Sequence, residues 1–139
     1  MVLSLNLKDY NYDIIIEKEE DLERLNQDIT DDIVVVGPTI IERTGINRGW
    51  KLPTAKDEIR FNLPILGDKF RAKNTYPEEH YQKELSFVDV VAGCIFCVKG
   101  SILEEIDYFD ENTFLYYEEQ ILSKKLIDIN KKIAIDNNI

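Results

Sequence analysis

The strongest constraint on the fold is Ile33-Val34-Val35-Val36, a run of β-branched residues with no polar residue between them. A strand with one wet face alternates apolar and polar side chains, whereas a continuous apolar run needs cover on both sides. Similar apolar runs, each with one aspartate near its start, appear in Tyr12-Asp13-Ile14-Ile15-Ile16 and, at greatest length, in Val88–Val98. Helical spacing lies between these runs. Leu22 and Leu25 share a face of Glu19–Asn26, and Ile121, Leu122, Leu126 and Ile129 share a face of Glu118–Ile129. Buried strands separated by amphipathic helices predict an α/β fold, a sheet covered on both faces. The chain has 139 residues, which suits one domain, 1–139, able to bury a core without disulfide or metal staples.

Regularity weakens between Thr39 and Leu85, where Gly45, Gly49, Pro53, Pro64, Gly67 and Pro77 punctuate the pattern. An irregular insert at about 39–85 is expected, of a kind that is often functional, with a short helix at Pro77–Leu85. Farther on, Val88–Val98 reads as one strand ended by Gly100. Ser101-Ile102-Leu103-Glu104 reads as a capping box that opens a helix. Glu118 and Glu119 fall in the first turn of the best helix, where the dipole favours negative charge, and Lys131–Ile135 reads as a last strand.

Charge narrows the partners. Lys and Arg number 17 against 27 Asp and Glu, for a net charge of -10. With the basic residues scattered, the chain repels nucleic-acid phosphates, and no nucleic-acid partner is expected. The apolar runs fall far short of the ~20 residues of a membrane helix. Met1–Leu7 lacks the basic start of a secretory signal. A cytoplasmic location is the default, with peripheral attachment to the inner membrane face left open. Cys94 and Cys97 form a CxxC, but there is no second pair, and His80 is the sole histidine. A zinc site needs more ligands than that. On a strand the two thiols would point to opposite faces, so two buried structural cysteines are expected. His80 is expected to be a surface or helix residue. No glycine-rich phosphate loop of the G-x-G-x-x-G or G-x-x-x-x-G-K type is present.

Three segments in order carry a family resemblance: Val88-Asp89-Val90-Val91-Ala92-Gly93-Cys94-Ile95-Phe96-Cys97-Val98-Lys99, then Phe109-Asp110-Glu111, then Phe114-Leu115-Tyr116-Tyr117-Glu118-Glu119. Their order resembles the C-terminal half of family 2, GT-A-type glycosyltransferases, above all the bacterial rhamnosyltransferase-like, polysaccharide-building branch. There a strand of the form V-x-G-(small)-x-(apolar) leads through a helix to F-D-E and then to F-L-Y-x-E-D or F-L-Y-x-E-E. Glu118–Leu126 is similar to the family's E-E-x-I-L-x-x-K-L variant. Upstream, Tyr12–Ile16 resembles the strand before the family's metal motif, and Val35-Val36-Gly37-Pro38 resembles the next strand and its turn.

The resemblance implies a partial GT-A-like, Rossmann-like mixed sheet with flanking helices that lacks the N-terminal nucleotide-binding strands. It implies kinship with enzymes that move a sugar from a nucleotide-sugar to a glycan acceptor. An inverting transferase must deprotonate the acceptor hydroxyl, and the family's base maps to Glu118 or Glu119. Adjacent helix residues differ by ~100° in direction, so one of the two is expected to face the cleft. Gly93 would either let a sugar approach the strand or simply relieve crowding; Tyr116 and Tyr117 would stack on sugar rings or join the core, and Trp50, in a glycine-rich loop, would stack on a sugar ring or touch no ligand. The sequence also departs from the family. Met1–Lys8 is too short for the missing nucleotide-binding unit. Glu17-Lys18-Glu19-Glu20-Asp21 stands where a D-x-D-like motif belongs and reads as a solvated helix start. The family's late histidine has no counterpart. Whether the chain is an enzyme therefore stays open, and inactivity alone is expected. No metal site is assigned; Mg or Mn would come with a nucleotide-sugar only where a second polypeptide completes the donor half. Self-association or such a completing partner is expected, and a non-catalytic carbohydrate- or partner-binding module is the alternative.

Overall fold

A computed structural model of the chain describes residues 2–3, 18–43, 45–64, 66–109 and 117–139. Its elements run Val2–Leu3 (β1), Glu19–Gln27 (α1), Ile33–Pro38 (β2), Ile40–Glu42 (β3), Gly45–Asn47 (β4), Ala55–Phe61 (α2), Gly67–Lys73 (α3), Leu85–Val88 (β5), Cys97–Val98 (β6), Gly100–Glu105 (α4), Glu118–Asp128 (α5) and Lys132–Asp136 (β7). The fold is α/β. Among the described residues one mixed sheet has the order β1-β6-β2-β7-β5. β2 and β7 run parallel, with Val36 opposite Ala134, and the other neighbours are antiparallel. The Tyr12–Ile16 strand expected from the sequence lies outside the described residues.

The continuous apolar runs are covered on both faces, as their composition requires. On one face Val35, Ile133 and Ile135 pack with Ile102, Leu103 and Ile106 at α4 and with Leu122 and Leu126 of α5. On the other, Leu25 of α1 closes over Val36 and Cys97. Leu25 and Leu126 are within 1% of complete burial, and burying such a side chain contributes about 2 kcal/mol. Glu20 and Asp21 occupy the first turn of α1, on the sheet face away from α5. The far end of α5 closes with a left-handed Asn130, φ 55°. There the Asn130 and Lys131 N–H groups donate back to Ile127 and Leu126 carbonyls at 3.0 and 2.9 Å, which satisfies the helix's last acceptors before β7 begins.

Four expectations are corrected. Val88–Val98 is not one strand. β5 ends at Val88, Val90 makes an isolated bridge to Trp50, Gly93-Cys94 turn, and β6 begins only at Cys97. β5 and β6 sit on opposite sides of the β2–β7 pair, so the segment between them must cross the sheet, and Val91 does so lying on Gly37. It is apolar because it is sandwiched, not because it is paired. Second, Cys94 therefore lies half-buried in the turn, and only Cys97 is fully buried. Burial raises the pKa of both thiols. Third, α4 starts at Gly100 with no side-chain cap, so Ser101 and Glu104 form no capping box. Fourth, Pro77–Leu85 holds only a short 3-10 turn, Glu78–Tyr81.

The stretch from 39 to 85 is more regular than its glycines and prolines suggested. It contains the β3–β4 hairpin, α2, α3 and the 3-10 turn. α2 is opened by a reciprocal cap in which Thr54 Oγ1 accepts the Asp57 N–H while the Asp57 carboxylate accepts the Thr54 N–H. The base of this excursion is pinned. Trp50 and Val90 exchange two backbone hydrogen bonds of 3.0 Å, and Lys51 and Asn74 meet through Lys51 N to Asn74 O at 2.9 Å and Asn74 Nδ2 to Lys51 O at 2.6 Å. Asp89 accepts the Leu52 N–H at 2.9 Å. Burial and the Asp89 carboxylate push the neighbouring Tyr76 hydroxyl up to about 12, so it stays protonated beside that anchor.

Candidate functional site

The pinned excursion and the start of α5 face each other across an open cleft of about 680 Å³. Trp50, Pro53, Glu58, Phe61, Asn62, Arg71 and Asn74 line it from the excursion, and Tyr117, Glu118, Glu119 and Gln120 line it from the start of α5. Residues far apart in sequence meet because the crossing segment holds Trp50 and Gly93 on the sheet face that α5 covers.

Gly93 and Glu119 are in direct contact. A methyl group on Gly93 would overlap Glu119 Oε1 and come within 2.7 Å of its Cδ and 2.9 Å of its Cγ. The absent side chain is thus the space in which the carboxylate sits. Glu119 is held from the backbone side as well, since its carbonyl accepts the hydroxyl of the fully buried Ser123 at 2.8 Å. Glu118 and Glu119 both line the cleft.

Tyr117 precedes α5 with φ 75°, in the left-handed region that bulky residues avoid. Its hydroxyl donates to Glu58 Oε2 at 3.2 Å, closing part of the mouth from wall to wall. The Glu58 charge, then this bond, raises the Tyr117 pKa. Tyr116 lies outside the described residues, as do Asp110–Leu115. Of the residues singled out from sequence, Trp50, Tyr117, Glu118 and Glu119 share the cleft wall, and Gly93 touches it through Glu119.

Glu58, Asn62, Arg71 and Asn74 went unnoticed in the sequence because their stretch looked irregular. One signal was available: Thr54-Ala55-Lys56-Asp57 has the spacing of a helix cap. Among the described residues no three His, Cys, Asp or Glu side chains gather as a metal site, and no helix is long and apolar enough to cross a membrane.

Comparison with known proteins returned no matching family model, no matching curated protein and no matching solved structure.

Proposed function

We propose that the cleft is a sugar site and that the chain is a glycosyltransferase-like domain carrying the acceptor side of such an enzyme. The observation that carries this is the Gly93–Glu119 contact: a carboxylate seated on a side-chain-free turn, lining a cleft that Trp50 also lines. The rest of the lining supports it. The aromatic rings offer flat apolar faces to the C–H side of a pyranose, while Asn62, Asn74 and Gln120 can both give and accept hydrogen bonds with hydroxyls.

In a transfer reaction the acceptor oxygen would attack the anomeric carbon. The new C–O bond forms as the bond to the departing nucleoside diphosphate breaks, and Glu119 takes the hydroxyl proton. Seating the carboxylate beforehand contributes orientation, and its distance from the reacting atoms decides the rate. Glu20 and Asp21, on the other sheet face, do not fit a divalent cation for this cleft, so no step is assigned to Mg or Mn. A GT-A-like donor half would have to come from elsewhere.

One observation favours the second reading, a non-catalytic carbohydrate-binding module. Three carboxylates against one guanidinium line the cleft, an environment that repels a diphosphate. Saturation-transfer NMR with a panel of oligosaccharides, alongside calorimetry with UDP, GDP and dTDP plus Mn²⁺, separates the outcomes. A saccharide signal that disappears in Trp50→Ala supports the sugar site. Nucleotide binding in addition would restore the enzyme, and saccharide binding without it favours the module. The absence of any saccharide signal would sink both.

A further inference from the structure

We infer that the outward face of the α2–α3 excursion docks on an anionic lipid surface, with apolar side chains entering the headgroup layer and lysines pairing with lipid phosphates. The inference stands apart from what the cleft binds. The chain as a whole is acidic, yet residues 51–74 carry six Lys and Arg against three Asp and Glu, a local net charge of +3 in a chain of -10. On α2 the two sides are sorted. Lys56, Ile59 and Arg60 fall within ~100° of one another around the helix, opposite Glu58 and Phe61, and those last two line the cleft. All three outward residues are exposed.

Ile59 is 69% exposed, and Leu63 and Leu66, in the turn between the helices, are 42% and 46% exposed. That turn is tight. A methyl on Gly67 would strike the Phe61 carbonyl, and the Gly67 N–H donates to the Leu63 carbonyl at 2.9 Å. Along the chain this turn lies midway between Lys51 and Asn74, which meet at the base of the excursion. Cations flank it, Lys56 and Arg60 on α2 and Lys69 and Lys73 on α3. Arg60 pairs with Asp57 at 3.3 Å, while Lys56, Lys69 and Lys73 have no ion-pair partner among the described residues. An apolar turn with cations set back along both helices matches the order of acyl chains and phosphates in a bilayer. Lysine stems lie along the apolar layer while their charge stays in water. A nucleic acid would answer the lysines but leave the leucines wet. The acidic remainder of the chain does not cancel the attraction, because charges more than ~8 Å away are largely screened at physiological ionic strength.

Flotation of the full chain with vesicles tests this, using phosphatidylcholine alone and phosphatidylcholine with about a third phosphatidylglycerol. Binding to the anionic vesicles should be about tenfold tighter and should weaken with added salt. Lys69→Glu should cut it about tenfold. Lys83→Glu, the same charge change at an exposed residue outside the excursion, should leave it nearly unchanged. Leu63→Ser with Leu66→Ser, which keeps every charge, should also weaken it; where the melting curve of that pair shows loss of fold, Ile59→Ser serves instead. No binding to the anionic vesicles, or equal binding to both kinds, overturns the inference. Equal loss in Lys69→Glu and Lys83→Glu also overturns it, since net charge would then explain the result, and so does full binding by the apolar variants. A dimer in lipid-free sedimentation that Lys69→Glu dissolves assigns the face to a second copy of this chain and overturns it too.

Discussion

Gly93 and Gly49 are the same residue type with different duties, and substitution tells them apart. At Gly93 an added methyl meets the end of a half-buried side chain, Glu119, which can swing away. Gly93→Ala should cost about 1 kcal/mol of stability but expel the carboxylate from its seat. At Gly49 φ is +83° and the methyl would run into the Val90 carbonyl, a backbone atom with nowhere to go. Gly49→Ala should therefore cost about 3 kcal/mol and loosen the Trp50–Val90 bridge. Denaturant melts read the two costs. If Gly93→Ala proves the more damaging of the pair, the contact with Glu119 is rigid rather than yielding.

At the scale of elements, β5 is the outer strand of the sheet among the described residues, and outer strands invite pairing with other chains. Glu84 and Asn137 show which way the ladder faces: the Asn137 N–H donates to the Glu84 carbonyl at 2.9 Å, so the Phe87 carbonyl, an odd number of residues on, points outward. His80 Nε2 meets that carbonyl at 2.6 Å, and the ring stacks on Tyr76 with centroids 4.3 Å apart. His80, expected from the sequence to be a surface or helix residue, lies in the 3-10 turn and meets one outward carbonyl of that edge. His80→Ala should uncover the carbonyl and raise self-association, seen as a concentration-dependent shift in sedimentation velocity. An unchanged monomer-to-oligomer balance would mean that something other than His80 protects this edge.

Across the whole molecule, α1 is tied to the sheet by a cluster of charges. Arg24 Nε donates to the fully buried Asp136 at 2.6 Å and its Nη2 pairs with Glu84. Asp28 shares the cluster. Burial, then the hydrogen bond that a protonated Asp28 can give Asp136 and the Asp136 charge, push Asp28 from 3.8 up to about 6, with Arg24 pulling the other way. The sign follows from linkage. A carboxyl whose folded pKa is raised stabilises the fold when protonated, so its contribution is full below about 4 and is lost as pH rises through about 6. Asp28→Asn, whose amide can donate to Asp136 at any pH, should match or exceed the parent in urea midpoint at neutral pH and flatten the profile between those limits. A midpoint that falls at neutral pH would show that Asp28 works there as an anion.

The sequence carried the layers of this architecture but not its route. Continuous β-branched runs announced strands covered on both faces, and the 3.6-residue period placed α1 and α5. The period could not reveal that Val88–Val98 leaves the sheet halfway, because a segment sandwiched between layers is as apolar as a paired strand. The cleft was half legible. Trp50, Gly93 and the Glu118-Glu119 pair were visible as types. Glu58, Asn62, Arg71 and Asn74 were not, because two short helices without a buried apolar stripe leave no periodicity to find: α2 buries no side chain.

Lys51 and Asn74 clasp each other at the neck of that excursion, so everything between them leaves the sheet and returns to the same spot. A segment with touching ends can be lengthened, shortened or exchanged without moving a strand. The two sides of the cleft are thus unequal tenants: the Glu119 side is bound to the core through Ser123 and the sheet, while the opposite side is a removable cassette, free to be recut for a new ligand with the carboxylate left in place.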